Sequence, residues 1–583
     1  MKILTSILKH FIVEVLIIFS FVFLINNYIG NVDKTINADG IGYYDYLPSI
    51  FIHHDFLRKD NPIQEDSLLY NRIISTGVYP DYNDFKVDKY PCGTALLQLP
   101  FFAYAYFTSK LLGDNNDGYQ RSFQKAIFYA AIFYLFLSIL FLKKILILYE
   151  IKKHVIIFCQ LIFVLSTSVT HYTNYDAGFS HIYSLFAITA FVYFIKSFLL
   201  DKKINHFILA CLFLGLIFIL RQPNLLVVLF IPFIAGSLEN LKIGIRTLFT
   251  NKRILLFGIV LFFGMSSIQS ILWYMQTGDF FVYSYQGEGF NFLDPHFYSI
   301  LFSYKKGLFI YTPILLFTLI SIIWFAYKKF FYLLFTWATF FLIVTYVLSS
   351  WWSWFYGCSY GLRAYIDYYT VFFIPFAFML NNINVTPRIL IMILALPTIP
   401  LNIVQTYQYK EFILHWINMD AEKYWKVFLK TDNRFKGLVW KNNYDSNRYS
   451  TLYEINIGDI RSTKNSINTV LNINSLEIRN FDEVSIIQVL IDNDYQENSD
   501  TKIFLSINKL SNDHNYYWHE RYLIHFHENN LNELQTGLFN FELNPIVDNQ
   551  EKNISLEVKT GNQNDYLKNV RIKFLSKTIA NNK

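Results

Sequence analysis

Long apolar runs separated by short polar loops organise the first 404 residues. Runs of spanning length fall at 11–29, 126–142, 155–169, 179–198, 207–220, 255–274, 308–327, 331–347 and 389–403, with shorter ones at 225–235 and 369–380. At 1.5 Å per residue, roughly twenty apolar residues cross the hydrocarbon core of a bilayer. The pattern predicts a polytopic α-helical membrane protein of about eleven transmembrane helices. The two short runs are expected to tilt, to borrow loop residues or to be broken within the protein. The run 94–112 carries Pro100 and several tyrosines. It is placed at the outer interface, where aromatic residues are at home, so that 94–124 forms interface helices behind an outer loop, 30–92.

Lysine and arginine set the orientation. They crowd alternate short loops, at 143–153, 202–203, 242–253 and 328–329, and short loops rich in these residues stay cytoplasmic. The N-terminus is then inside, and Lys305, Lys306 and Arg363 are exceptions in outer loops. The first run lacks a small-residue cleavage site and is taken as a retained helix.

From residue 405 the pattern changes. Segment 405–447 reads as a helical linker, with Trp416, Tyr424, Trp425 and Phe428 as an apolar stripe over 409–429. Residues 448–583 show period-two runs at 467–473, 484–490, 502–506, 522–526, 539–543, 554–558 and 570–574, separated by Asn/Asp-rich turns. Seven or eight short strands of this kind predict an extracytoplasmic β-sandwich.

Composition agrees with a membrane body. Of 583 residues, 53% are hydrophobic and only 16% charged, less charge than soluble domains carry. The net charge of +6 is spread over short loops, so it reports topology and does not suggest nucleic-acid binding. The four cysteines show no CxxC spacing, so no zinc or redox motif is indicated. Cys92 and Cys358 both fall in outer loops, either paired or as two thiols.

Candidate chemistry gathers in four polar-aromatic outer loops. The first, Asn37-Ala38-Asp39-Gly40-Ile41-Gly42-Tyr43-Tyr44-Asp45, puts two carboxylates where the chain leaves the bilayer. Carboxylates at a membrane edge are costly and commonly functional, although an ordinary polar loop also fits. The second holds His171, Asp176 and His181, and the third Asp279, Glu288, Lys305 and Lys306. The fourth runs from Trp351 through Trp352 and Gly357 to Arg363 and Asp367. Aromatic faces suit sugar rings. A lipid-linked phosphate-sugar entering from the bilayer would find Arg221, Lys305, Lys306 and Arg363 for its phosphate. Asp39 would then be the general base on an acceptor hydroxyl. Tyr43, Asp45, Trp352 and Asp367 are the remaining candidate substrate contacts. Asp176 is a candidate to orient the acceptor or to hold a divalent cation, magnesium or manganese. Each has a plainer alternative. Arg221 suits a helix end at the headgroups, Asp176 a helix start, and the two lysines lipid headgroups.

Four marks within residues 8–404 resemble the GT-C superfamily of integral-membrane glycosyltransferases, especially bacterial relatives of protein O-mannosyltransferases and lipid A aminoarabinose transferases. They are Ala38-Asp39-Gly40 with Tyr43, Lys89-Tyr90-Pro91 with Gly93, Arg221-Gln222-Pro223-Asn224, and the Trp/Gly-rich loop ending in Arg363 and Asp367. The resemblance implies that Asp39 is the catalytic or metal-site acid and Asp176 a second acid. It also implies a polyprenyl-phosphate sugar donor and inversion at the anomeric carbon. The chain departs from the pattern in lacking an adjacent acidic pair, since Asp39 and Asp45 are six apart. The expected function is transfer of a sugar to a glycan, lipid or protein acceptor at the outer face of a bacterial cytoplasmic membrane. The alternatives are a lipid-linked glycan transporter or flippase, and a non-catalytic envelope assembly protein.

Overall fold

The computed structural model describes residues 2–21, 30, 32–57, 78–83, 85–113, 117–432, 435, 439, 449–461, 467–478, 481–493, 502–509, 515–522, 535–543, 552–559 and 566–577. The chain divides into two compact units, Met1–Lys410 with Trp416–Asp420, and Glu411–His415 with Ala421–Lys583.

The first unit is helical and polytopic. Among the described residues, Arg121–Leu148, His181–Asp201, Lys252–Thr277, Phe331–Ser349 and Val385–Lys410 are each long and apolar enough to cross a membrane. The short run at 225–235 is broken, as its length suggested. A 3-10 segment, Gln222–Phe230, starts at Pro223 and leads to Ile231–Ala235. Gly236 then takes φ 76°, and the chain bends by 118° into Leu238–Thr250. Counted as one broken span, this pair makes a sixth candidate. Shorter apolar helices cover Phe11–Ser20, Lys153–Leu165, Ile204–Leu220 and Ile314–Tyr327. The last is cut off from Leu308–Tyr311 at Thr312 and Pro313, where proline has no N–H to continue the ladder. Residues 22–29 of the expected first span, and Arg58 and Lys59 of the first loop, lie outside the described residues.

Run 94–112 is one helix, Gly93–Leu112, with Pro100 inside it. It returns antiparallel along Arg121–Leu148. Ser109 and Ser122 hydroxyls meet at 3.0 Å, and Tyr134 donates to the Leu97 carbonyl at 2.8 Å. A buried ion pair ties the first helix to this body: Glu14 accepts from Lys143 at 3.0 Å and from Gln160 at 2.8 Å. Both partners are needed, because an unpaired carboxylate in hydrocarbon is costly. The aromatic stripe expected to form a linker helix does so only over Ala421–Val427. After Lys410 the chain is not helical, and Phe412 sits at φ 57°.

Strands β1 (Asp81–Tyr82) and β2 (Phe85–Lys86) form a small hairpin in the first unit. The second unit contains β3 (Tyr449–Arg461), β4 (Ile467–Asn474), β5 (Val484–Asn493), β6 (Lys502–Lys509), β7 (Asn515–Tyr522), β8 (Gln535–Glu542), β9 (Lys552–Lys559) and β10 (Tyr566–Lys577). They form two four-stranded antiparallel sheets, ordered β3-β10-β5-β8 and β4-β9-β6-β7. Both sheets feed one core, including Ile487, Phe541 and Phe574 from one and Leu505, Leu556 and Ile473 from the other. The strand Asn515–Tyr522 was not anticipated, and of the run expected at 522–526 only Tyr522 lies within the described residues. β3 was not anticipated. Its pairing with β10 slips at Gly458, which takes φ 81°, so the apolar alternation a strand would show is interrupted by a bulge.

Candidate active site

Asp39 opens the helix Asp39–Phe51, where the positive end of the helix dipole favours a carboxylate. Ala38, at φ 43°, turns the chain into that helix, and the Gly40 amide bonds back to the Asn37 carbonyl at 2.8 Å. Arg363 opens a 3-10 helix, Arg363–Tyr368, distant in sequence. Its Nη1 donates to Asp39 Oδ2 at 2.6 Å. The guanidinium also lies 5.5 Å from the centre of the Phe179 ring, a cation–π arrangement. Burial raises the Asp39 pKa, but the Arg363 charge, hydrogen bonds from Tyr90 and Arg363, and the Lys89 charge outweigh it. The carboxyl is held below its usual range.

On the helix that Asp39 opens, Tyr43 packs against Tyr90, with ring centres 4.3 Å apart. Gly42 makes that approach possible. A Cβ there would meet Val78 Cγ1 at 2.3 Å and Tyr90 Cδ2 at 2.6 Å. Burial raises the Tyr43 hydroxyl, while the charge of Arg221 lowers it. The charges of Asp39 and Arg363 act on it as well, in opposite directions.

Arg221 follows the end of the helix Ile204–Leu220. It is held by Asp367, at 3.6 Å. The other bonds of Asp367 come from His181 Nδ1 at 2.8 Å and Asn224 Nδ2 at 2.7 Å. Facing a carboxylate, Nδ1 of His181 carries the proton, so the Arg221 Nη1 lying 3.0 Å from that same nitrogen is in contact with it without donating to it. Gly93 lets the chain pack here, because a Cβ at Gly93 would sit 2.5 Å from the Ile219 carbonyl. Asn224, at the turn made by Pro223, completes the anchor.

The other candidates take different positions. Asp45 lies fully buried six residues further along the same helix, accepting from Ser49 at 2.9 Å and from the hydroxyls of Tyr79 and Tyr119. Lys306 is buried, and its ammonium donates to the Ser359 and Trp416 carbonyls. Burial pushes it down to about 7, with Arg363 and Lys305 acting in the same direction. Lys305 sits 3.7 Å over the Phe355 ring. Trp352 is 58% exposed, and its amide donates to the Gly289 carbonyl. Asp176 accepts from His171 Nε2 at 2.7 Å. No group of three or more His, Cys, Asp or Glu converges among the described residues. All four cysteines are free thiols; Cys92 is buried and Cys358 exposed.

The structure therefore brings Asp39, Tyr43, Arg221, Arg363 and Asp367 together. It adds Tyr90, His181 and Asn224, which were not singled out as site residues although each lies in a loop or mark already noted. Lys89 and Glu288 form a further ion pair, and Lys89 lies 5.2 Å from the Tyr285 ring.

No family model matches the sequence, and no curated protein matches it. Among solved structures, the archaeal oligosaccharyltransferase AglB from Archaeoglobus fulgidus, in complex with an inhibitory peptide and a dolichol-phosphate, aligns with 10% identity and a TM-score of 0.36. The alignment covers 69% of this chain and 55% of that one, so this chain spans about half the length of the structure it matches. A likeness of that size decides neither fold nor reaction.

Proposed function

We propose that this chain is a GT-C-like inverting glycosyltransferase. It transfers a sugar from a polyprenyl-phosphate carrier to a glycan, lipid or protein acceptor at the outer face of a bacterial cytoplasmic membrane. The observation that carries the proposal is the pairing of Asp39 with Arg363, with a second guanidinium, Arg221, held by Asp367 of the same 3-10 segment. A guanidinium recognises phosphate oxygens as readily as carboxylate oxygens. Donor phosphate drawn to Arg221 and Arg363 competes with Asp39 for Arg363. The released carboxylate loses its strongest stabilising partner and becomes a better base.

The acceptor hydroxyl then gives its proton to Asp39 as its oxygen attacks the anomeric carbon. The bond from that carbon to the phosphate oxygen breaks, and the two arginines take up the charge on the departing polyprenyl phosphate. Attack opposite the leaving group inverts the centre. Asp367, His181 and Asn224 hold Arg221 in place, and Tyr43 and Tyr90 offer faces to the sugar. Asp176 offers one carboxylate already bonded to an imidazole, a donor set that does not fit magnesium or manganese, which favour oxygen ligands. No step is routed through a cation. The same proposal takes the membrane unit as eleven spans with the N-terminus inside, and the two sheets as an outer β-sandwich; the lysine bias of the loops supports that orientation.

The test is mass profiling of polyprenyl-phosphate sugars and surface glycans in cells carrying wild type or Asp39→Asn at matched expression. Loss of one sugar from the glycans, with its lipid-linked donor accumulating, is expected. Unchanged glycans and donor would sink the proposal in favour of an assembly role. A complete glycan that fails to leave its carrier would point to a transporter.

A further inference from the structure

A cavity is lined by none of the residues gathered around Asp39. It is an open, almost wholly apolar groove of about 530 Å³ between Gly93–Leu112 and Arg121–Leu148, lined by residues including Phe101, Tyr104, Ala105, Lys125, Ala126 and Tyr129. Its surroundings stay apolar and uncovered. Tyr104 is 71% exposed and Tyr129 55%, with Phe107 and Phe133 also exposed nearby. In water such a surface is unstable; against lipid it is ordinary.

Charge spacing gives the depth of the groove. Arg121–Leu148 is a candidate span. Between Lys125 and Lys143 it carries no charged residue. Eighteen positions at 1.5 Å per residue separate the two lysines by about 27 Å, close to the roughly 30 Å of a hydrocarbon core. Lys143 marks one edge, beside Glu14. Lys125 therefore marks the other, at headgroup depth, with the groove around it. Among the described residues no carboxylate pairs with Lys125. A half-buried ammonium at the polar end of an apolar cleft lacks a counter-charge, and the phosphate of an anionic lipid supplies one by a charge-assisted hydrogen bond.

We propose that this groove is a binding site for one anionic phospholipid of the bilayer, with an acyl chain along Phe101, Ala105 and Ala126 and the headgroup phosphate on Lys125. The helix Gly93–Leu112 has the groove on one side. On another it contacts the Asp39–Phe51 helix, where Phe102 packs against Tyr44. The bound lipid would thus wedge a helix that packs against the one opened by Asp39, yet the site does not depend on the glycosyltransferase proposal.

The test uses the full chain purified in detergent and exchanged into nanodiscs of phosphatidylcholine with a minority of phosphatidylglycerol, followed by native mass spectrometry of co-released lipid. Wild type should retain phosphatidylglycerol several-fold over its share of the bilayer. Lys125→Gln should bring that ratio to the bulk value, and Lys125→Arg should keep it. Thr108→Phe, which narrows the groove without touching the charge, should reduce bound lipid of either kind. Wild-type enrichment equal to that of Lys125→Gln would overturn the proposal, as would Thr108→Phe binding lipid like wild type. Polyprenyl phosphate displacing phosphatidylglycerol one for one at low molar ratio would also overturn it, because the groove would then belong to the donor.

Discussion

Removing the proposed base should tighten the grip on the donor's phosphate. In the structure, Asp39 occupies the guanidinium that the phosphate is proposed to take, at 2.6 Å. The pair is neither surface nor core: the side chains are 26% and 16% exposed. Fully exposed pairs are worth about 0.2–1 kcal/mol, and breaking buried ones costs about 3–5 kcal/mol. A pair of intermediate exposure, discounted for solvent screening, is worth about 1 kcal/mol, and competition of that size corresponds to roughly a fivefold change in affinity. Asp39→Asn keeps the shape and removes the competing charge. It should therefore bind polyprenyl phosphate about fivefold more tightly than wild type, although it is inactive. Arg363→Ala should bind more weakly by about tenfold or more, since a hydrogen bond to a charged group contributes about 1.5–3 kcal/mol. The assay is equilibrium binding of polyprenyl phosphate to detergent-solubilised protein, read by intrinsic tryptophan fluorescence, with the neutral polyprenol as control. Equal or weaker binding by Asp39→Asn, together with unchanged binding by Arg363→Ala, would refute the competition and with it the use of Arg363 as a phosphate ligand.

Three other perturbations read different parts of the unit. Gly42→Val should lower stability by about 1–3 kcal/mol through overpacking against Val78 and Tyr90, whereas Gly264→Ala, with no atom within 4 Å of its new Cβ, should be neutral or slightly stabilising; thermal unfolding of both in detergent decides it. Cys358 is exposed while Cys92 is buried, so a maleimide should label Cys358 first and Cys358→Ser should abolish rapid labelling. The folded pKa of Asp39 lies below its ordinary 3.8. Its ionised pair thus contributes stability above that ordinary value and loses it as pH falls through the lowered one. The melting temperature of wild type should exceed that of Asp39→Asn by a constant margin at pH 6–7, and that margin should shrink in acid.

Helices were legible where apolar runs are long. The runs at 126–142, 255–274 and 331–347 each became one helix that outlasts the run, because continuous hydrophobicity over that length has no other stable state in a bilayer. Breaks were harder to see. Pro313 interrupts an apolar stretch without any change in hydropathy, whereas the 118° bend at Gly236 falls just after the short run at 225–235 ends. The β3 strand shows the converse, a regular element whose alternation a bulge conceals.

The site was legible as a set of residues but not as a set of pairs. Charge in an outer loop drew attention to Asp39, Arg221 and Arg363, since each is expensive at a membrane edge. Nothing in the spacing joins residue 39 to 363 or 181 to 367; those contacts are made by helix packing across the whole unit. The same principle that singled out Asp45 also accounts for where it lies. A buried carboxylate must be satisfied, and three hydroxyls satisfy this one on the far side of the helix that begins with Asp39. Sequence chemistry identifies costly groups. Whether a group's cost is met by a fixed internal partner, as at Asp45, or by a partner that a substrate can replace, as proposed for Asp39, is decided by exposure. Arg363 and Asp39 keep a part of their surface open, and Asp45 keeps none.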